Sequence, residues 1–257
     1  MTRARRFTAC FLILGCLTGA QSVGASVAEV PSGEPTATPT GTEADSTSED
    51  GALQFAWAAT YASWYSFQGL DYSNRRSVSQ PEVSATMRGV SISAWGNFDH
   101  SLGELNEIDL TLQWGWEGER LSGGVGYANL HYPHRADWEP SQEVLGELAF
   151  AGPLEVSASV HWDVDEGRGR YWELGLGKDI EGPGATIALG ATVYFQDRYY
   201  ELTGIPAVET RVGVRRVWAG VAWEPSLARL WTWENGDFEG PEAVEPGWIF
   251  SLSLSPP

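Results

Sequence analysis

Residues Glu104–Gly118 read ELNEIDLTLQWGWEG. Ile108, Leu110, Leu112, Trp114 and Trp116 fall on every second position, and Glu107, Asp109, Thr111, Gln113 and Gly115 fall between them. A period of two sends successive side chains to opposite sides of an extended chain, so this is a strand with one apolar and one polar face. Which of the two faces meets water decides the fold.

The same alternation recurs on both sides of this stretch. Upstream, strands are expected over about 53–69, with Phe55, Trp57, Ala59 and Tyr61 in phase, and over about 82–98. In the second of these the phase Val83, Ala85, Met87 slips to Val90, Ile92, Ala94 at Gly89, which reads as a β-bulge. Downstream, strands are expected over about 120–132, 142–150, 154–164, 170–180, 185–196 and 208–224, and finally 248–255. The segment 208–224 slips phase at Arg215-Arg216 and reads as one bulged strand or two short ones. The count is about ten strands, or ten to twelve if such segments split. No helical periodicity competes with it, and no stretch after the first residues has the 18–20 continuous apolar residues of a membrane helix.

Two architectures use such strands. A soluble sandwich or barrel turns its apolar faces inward. An outer-membrane barrel turns them toward lipid and lines a lumen with the polar faces. Three features favour the second. Aromatics sit near strand ends, where a membrane interface holds amphipathic rings: Trp64, Trp95, Trp114, Trp116, Trp162, Trp172, Trp223 and Trp248. The polar faces are rich in Gly, Ser, Thr and Ala, and lysine occurs once, at Lys178, where a soluble surface would use many. The strands are also longer than the ~5–6 residues of ordinary globular strands. The fold expected is all-β: a single antiparallel up-and-down transmembrane β-barrel over residues 53–257, in the outer membrane of a Gram-negative cell.

Residues 1–25 read as a signal peptide: Arg3, Arg5 and Arg6, then the apolar core CFLILGCL, then small residues up to Ala25. Both cysteines, Cys10 and Cys16, lie in it, so no disulfide is expected in the mature chain. Residues 26–52, rich in Pro, Thr, Ser and acids, read as a disordered tether. Acids outnumber bases 34 to 16, which argues against nucleic acid as a partner and disfavours a polybasic lipid anchor.

The segments TYASWYSFQGLDYS, QPEVSATMRGVSISAWGNFD, LNEIDLTLQWGW and GGVGYANLHYP, followed by the Glu-Val of SQEVLGELAF, resemble the TorF-like family of bacterial outer-membrane barrels. The resemblance covers about 53–180. Gln68 stands where the family pattern carries arginine, and the end FSLSLSPP lacks the terminal aromatic of the usual assembly signal, leaving Phe250 to act from an internal position. The resemblance implies fold and location and no particular activity. Outer-membrane lipid and the barrel-assembly machinery are the partners it implies.

In the phase of the opening strand, Glu107, Asp109, Gln113, Glu143, Glu147, Glu155, His161, Asp163 and Glu173 face the lumen, with Arg211 and Arg215 opposite. Charges in a narrow lumen must be paired or hydrated. They form either an acidic, cation-favouring conduit or an acid–arginine network that plugs a structural barrel. No catalytic residue, metal or cofactor is assigned. His161 and Asp163 with Ser157 and Ser159 make a weak hydrolase pattern. DVDEGRG lacks a full calcium ligand set, and HYPH offers only His131 and His134 for zinc. The competing reading is a soluble secreted or periplasmic all-β module that binds carbohydrate through Trp-rich loops, with Trp231, Trp233 and Phe238 of residues 225–246 as its contacts. A ten-strand count with a periplasmic N-terminus puts 70–81 and 225–246 outside and 133–141 and 197–207 inside, at odds with the short periplasmic turns of known barrels.

Overall fold

A computed structural model describes residues 52–68, 70–135, 138–232 and 246–257. The signal peptide, all of the tether but Ala52, and Trp233 and Phe238 lie outside the described residues.

Alternation makes each strand, and antiparallel pairing with its sequence neighbour makes the sheet. The elements are β1 (Gln54–Ala62), β2 (Ser66–Phe67), β3 (Leu70–Asp71), β4 (Val78–Met87), β5 (Val90–Asp99), β6 (Glu104–Glu117), β7 (Leu121–His131) and β8 (Ser141–Phe150). They continue with β9 (Glu155–Asp163), β10 (Arg170–Gly182), β11 (Ala185–Tyr199), β12 (Leu202–Gly204), β13 (Ala207–Trp218), β14 (Val221–Thr232) and β15 (Gly247–Ser255). Leaving aside the short β2, β3 and β12, twelve strands pair in chain order, and β1 closes the ring on β15, with Ala59 opposite Leu254 and Ala62 opposite Ser251. The barrel is all-β, antiparallel and up-and-down, with twelve strands where about ten were expected.

The two extra strands come from two expected bulges. Met87 pairs with Val90 across Arg88-Gly89, whose φ angles are 54° and 77°; Trp218 pairs with Val221 across Ala219-Gly220, at 52° and 76°. Two consecutive positive φ angles make the primed hairpin turn that matches strand twist. The segment 82–98 is therefore a hairpin, and so is 208–224, with its turn four residues beyond the expected slip. With twelve strands the connections sort by end. Residues 88–89, 118–120, 151–154, 183–184 and 219–220 lie at one end, together with the start of β1 and the finish of β15. The longer connections, 63–77, 132–140, 164–169 and 200–206, lie at the other. The expected sidedness of 133–141 and 197–207 is thereby reversed. Barrels of this class keep short turns periplasmic, so the loop end faces outward from the cell.

The outer surface answers the question of the opening strand. Leu110, Leu112 and Trp114 are 49%, 55% and 50% exposed, whereas Asp109, Thr111 and Gln113 are buried. The same holds around the ring: Val83, Ile92, Val125, Leu148, Leu174 and Leu176 are exposed. A continuous apolar belt on a closed barrel is a lipid-facing surface, and a soluble module could not leave it in water. Aromatics flank the belt. Phe55, Trp57, Trp114, Trp116, Phe150 and Trp218 lie toward the turn end, and Tyr61, Trp162, Trp172, Phe195, Trp231 and Trp248 toward the loop end. The protein is an outer-membrane β-barrel.

Two of the expected interface aromatics are elsewhere. Trp95 lies at an inward position of β5 and is 8% exposed. Trp64 is 3% exposed because strand one ends at Ala62, not near Gly69, and the chain then turns into the barrel. Trp223 is half-buried, 6.1 Å from the Trp218 ring.

Candidate functional site

The inside of the barrel is filled at one end. After Ala62 the chain folds inward and forms the β2–β3 hairpin, with Ser66 opposite Asp71 and Phe67 opposite Leu70. Trp64, Tyr65, Phe67, Gln68, Leu70 and Ser73 are all buried. Three local devices hold this shape. Asp71 accepts hydrogen bonds from the backbone N–H groups of Ser73 and Arg75, Ser73 Oγ accepts from the Tyr65 N–H at 2.8 Å, and the Arg75 guanidinium lies 4.3 Å from the Trp64 ring. The hairpin packs on the wall through rings: Phe67 meets Tyr171 and Tyr199 at 5.6 and 6.3 Å, and Tyr65 meets Trp95 at 6.0 Å. With Val78, Leu230 and Ile249 these side chains form an apolar cluster inside the loop end.

Polar contacts dock the hairpin on the acidic wall. Tyr65 Oη donates to Glu107 Oε2 at 2.9 Å, and Gln196 Nε2 donates to Gln68 Oε1 at 2.6 Å. Arg76 reaches the fully buried Asp99 at 3.2 Å. Beside them, Glu143 accepts from Tyr199 Oη at 2.7 Å and meets His161 Nδ1 at 3.0 Å, and the His161 ring stacks on Tyr171 at 4.2 Å. A second buried ladder runs from Gln80 through Asn97 to Asn106. Asp109, 2% exposed, leaves Oδ1 without a hydrogen bond. Just outside the strands, burial and then the neighbouring Glu107 push the Tyr132 hydroxyl far above its ordinary range, so it stays a protonated donor.

The structure puts every acid of the expected lumen set at an inward strand position, but not as one network. Gln113 Nε2 donates to Glu147 at 2.6 Å, and His161 pairs with Glu143. Asp163 is used locally: it accepts from Ser141 Oγ and from the Asp165 N–H. The acid bonded to His161 Nδ1 is therefore Glu143. Glu155 is exposed, and Glu173 is half-buried. The two arginines belong to other groups. Arg215 pairs with Glu224 at 2.9 Å and Asp179 at 3.5 Å, and Arg211 donates to Ser226 at 2.7 Å, which in turn bonds Ser251. A cavity under the hairpin is lined by Thr60, Trp64, Tyr65, Gln80, Glu209 and Arg211, among others.

Sequence reasoning missed the hairpin itself, along with Tyr65, Tyr199, Gln196, Asp179, Glu209 and Glu224. Asp179, Glu209 and Glu224 were accessible to it, since they continue the inward phase of their strands. Trp64, Tyr65 and Phe67 were not, because rings in a plug and rings at a membrane interface look alike in sequence.

The barrel is similar to the NanC porin structure, with TM-score 0.53 at 11% identity, over 79% of this chain and 100% of that one. The COG4313 outer membrane channel from Pseudomonas putida F1 aligns at TM-score 0.48 and 13% identity, over 89% of this chain and 99% of that one. At such identity a likeness speaks to fold alone. Neither a protein-family model nor a curated protein matches the sequence.

Proposed function

We propose that the protein is a passive outer-membrane channel whose lumen favours cations and whose bore is narrowed at the loop end by the 63–77 hairpin. The observation that carries this reading is the imbalance of charge on the inward wall. Glu107, Asp109, Glu143, Glu147 and Glu173 line β6, β8 and β10, while Arg211 and Arg215 on β13 bond to Ser226 and to Glu224 and Asp179. A lumen in which acids outnumber bases, enclosed by low-dielectric walls, concentrates cations. The porin-like fold and the motif resemblance to TorF-like outer-membrane proteins support the same placement. The turn half supports passage: Ser157 and Glu155 of β9 are inward yet exposed, Gly175 and Gly177 beside them on β10 are small, and Ala56 and Ala58 stand on β1 across the ring.

The plugged structural barrel is the second reading, favoured by the completeness with which Trp64, Tyr65 and Gln68 are buried. Planar-bilayer recording separates the two. Under a potassium chloride gradient the channel reading gives small unitary steps and a reversal potential on the cation side. Replacing 64–76 with a short Gly/Ser linker enlarges the steps and keeps the sign. An anion-side potential overturns the acidic lumen, and silence from both proteins establishes the structural barrel.

A further inference from the structure

We infer that the outward surface of β14 and β15 at the loop end carries a binding site for a phosphate group on an outer-leaflet glycolipid, with Arg229 as its ligand-holding residue. Ala228 and Leu230 are inward and buried, so Arg229 between them projects to the lipid side. Its cross-strand neighbours are Trp248 and Thr210. The guanidinium lies 5.2 Å from the ring of Trp231 and 5.2 Å from that of Trp248. Trp231 is fixed in turn by its Nε1 donating to Thr210 Oγ1 at 3.0 Å.

The two rings are this cation's interactions; among the described residues no carboxylate or carbonyl hydrogen-bonds it. Some other cations near strand ends have protein partners. Arg170 and Arg198 share Asp197, and Lys178 donates to the Pro153 carbonyl. A lipid-facing arginine that no carboxylate among the described residues pairs is costly at mid-bilayer depth and far less so at headgroup depth. Arg229 sits at that level, within the loop-end aromatic girdle. Indole rings attract the cation to their faces and leave its coplanar N–H donors for a ligand. That planar fork matches a phosphate bidentately.

The rings also favour a sugar carrier. Trp231 and Trp248 are 49% and 59% exposed, so their free surface can stack on the pyranose that bears the phosphate. The loop end faces the outer leaflet, where phosphorylated acyl-glucosamine lipids are the anionic headgroups. This inference needs the membrane placement and is independent of whether the barrel conducts.

Native mass spectrometry on the folded mature protein in detergent tests it. The probes are bisphosphorylated lipid A, its dephosphorylated form and phosphatidylglycerol. The wild type is expected to prefer bisphosphorylated lipid A over the dephosphorylated form by about tenfold, the low end for a hydrogen bond to a charged group. Arg229→Gln is expected to erase that preference, Arg229→Lys to keep part of it, and Arg170→Gln to keep all of it. Equal binding of both lipid A forms by the wild type, or an unchanged preference in Arg229→Gln, overturns the site. Phosphatidylglycerol binding as tightly as lipid A overturns the glycolipid assignment. Heat-dependent gel migration verifies that each variant is folded, and should Arg229→Gln not fold, the lipid preference of the wild type and of Arg229→Lys decides. Unchanged single-channel conductance in Arg229→Gln keeps this result separate from the channel reading.

Discussion

The two halves of the barrel interior are filled differently, one by rings and an inserted hairpin, the other by small residues and a polar lining. At the loop end, inward residues such as Val78, Glu143, Asp163, Tyr171, Tyr199 and Leu230 are almost wholly buried, and the chain between β1 and β4 folds back among them. At the turn end, Ala56, Ala58, Ser157, Gly175 and Gly177 are small and several remain open to solvent, while Ser91, Gln113, Thr186, Arg215 and Glu224 are buried in a polar lining with no inserted chain segment among the described residues. The same twelve strands run through both halves, so strand pairing cannot account for the difference. It comes from side-chain size and from one inserted connection. A barrel wall specifies a shape, and what fills it is specified separately.

The largest effect that could break this comparison is removal of the plug. With 64–76 replaced by a flexible linker, the loop half should become as open as the turn half. Bilayer conductance should then rise several-fold while heat-dependent migration still reports a closed barrel. If conductance stays unchanged, the hairpin does not limit the bore.

Next comes the boundary between inside and outside. Leu112→Arg places a charge on the apolar belt and should cost ~2–4 kcal/mol of folding free energy in bilayers. Urea titration of the refolded protein in vesicles measures it. An exposed leucine on a soluble protein would tolerate the change, so a neutral result would contradict the membrane surface.

A smaller effect is expected within the packed half. Glu143→Ala removes the partner of both Tyr199 and His161 and leaves their polar atoms buried, which should cost about 2–3 kcal/mol. The temperature at which the compact gel band gives way to the unfolded one should fall accordingly. Gly247→Ala probes the same half more gently. A Cβ there would collide with Arg75 Nη1, the flexible tip of a side chain, so Arg75 should shift from Trp64 at a cost of about 1 kcal/mol. Protease cleavage near Arg75 should become faster. In the open half, Ser159→Ala should change stability by less than about 0.5 kcal/mol, seen as an unmoved gel transition.

These contrasts also explain what was legible in the sequence. The alternation in β6 and β9 made strand, face and inward acids readable, because a period of two translates directly into two sides. The strand count failed at Gly89 and Gly220 for a geometric reason. Residues flanking a two-residue turn, such as Met87 and Val90, pair across the hairpin and share a face while standing three apart in sequence. A bulge produces the same one-residue slip, so phase alone does not separate the two. The acid positions were readable, but their partners were not. Glu107 meets Tyr65 and Gln68 meets Gln196 only because a connection enters the lumen, and nothing in TYASWYSF distinguishes a strand that continues from a chain that turns inward.

The seam between β1 and β15 has a consequence in time. Thr60 and Ser253 hydrogen-bond at 3.1 Å across 193 residues of chain. Every other ring pairing joins near neighbours in sequence, so the sheet can grow hairpin by hairpin, and the seam forms only once the last strand has been made. Until then both edges are open and the contact order of the final step is the highest in the molecule. The connection that fills the lumen leaves β1 at this same seam. Its rings must therefore be gathered inside before or during the last pairing, which makes seam closure the natural slow step of assembly.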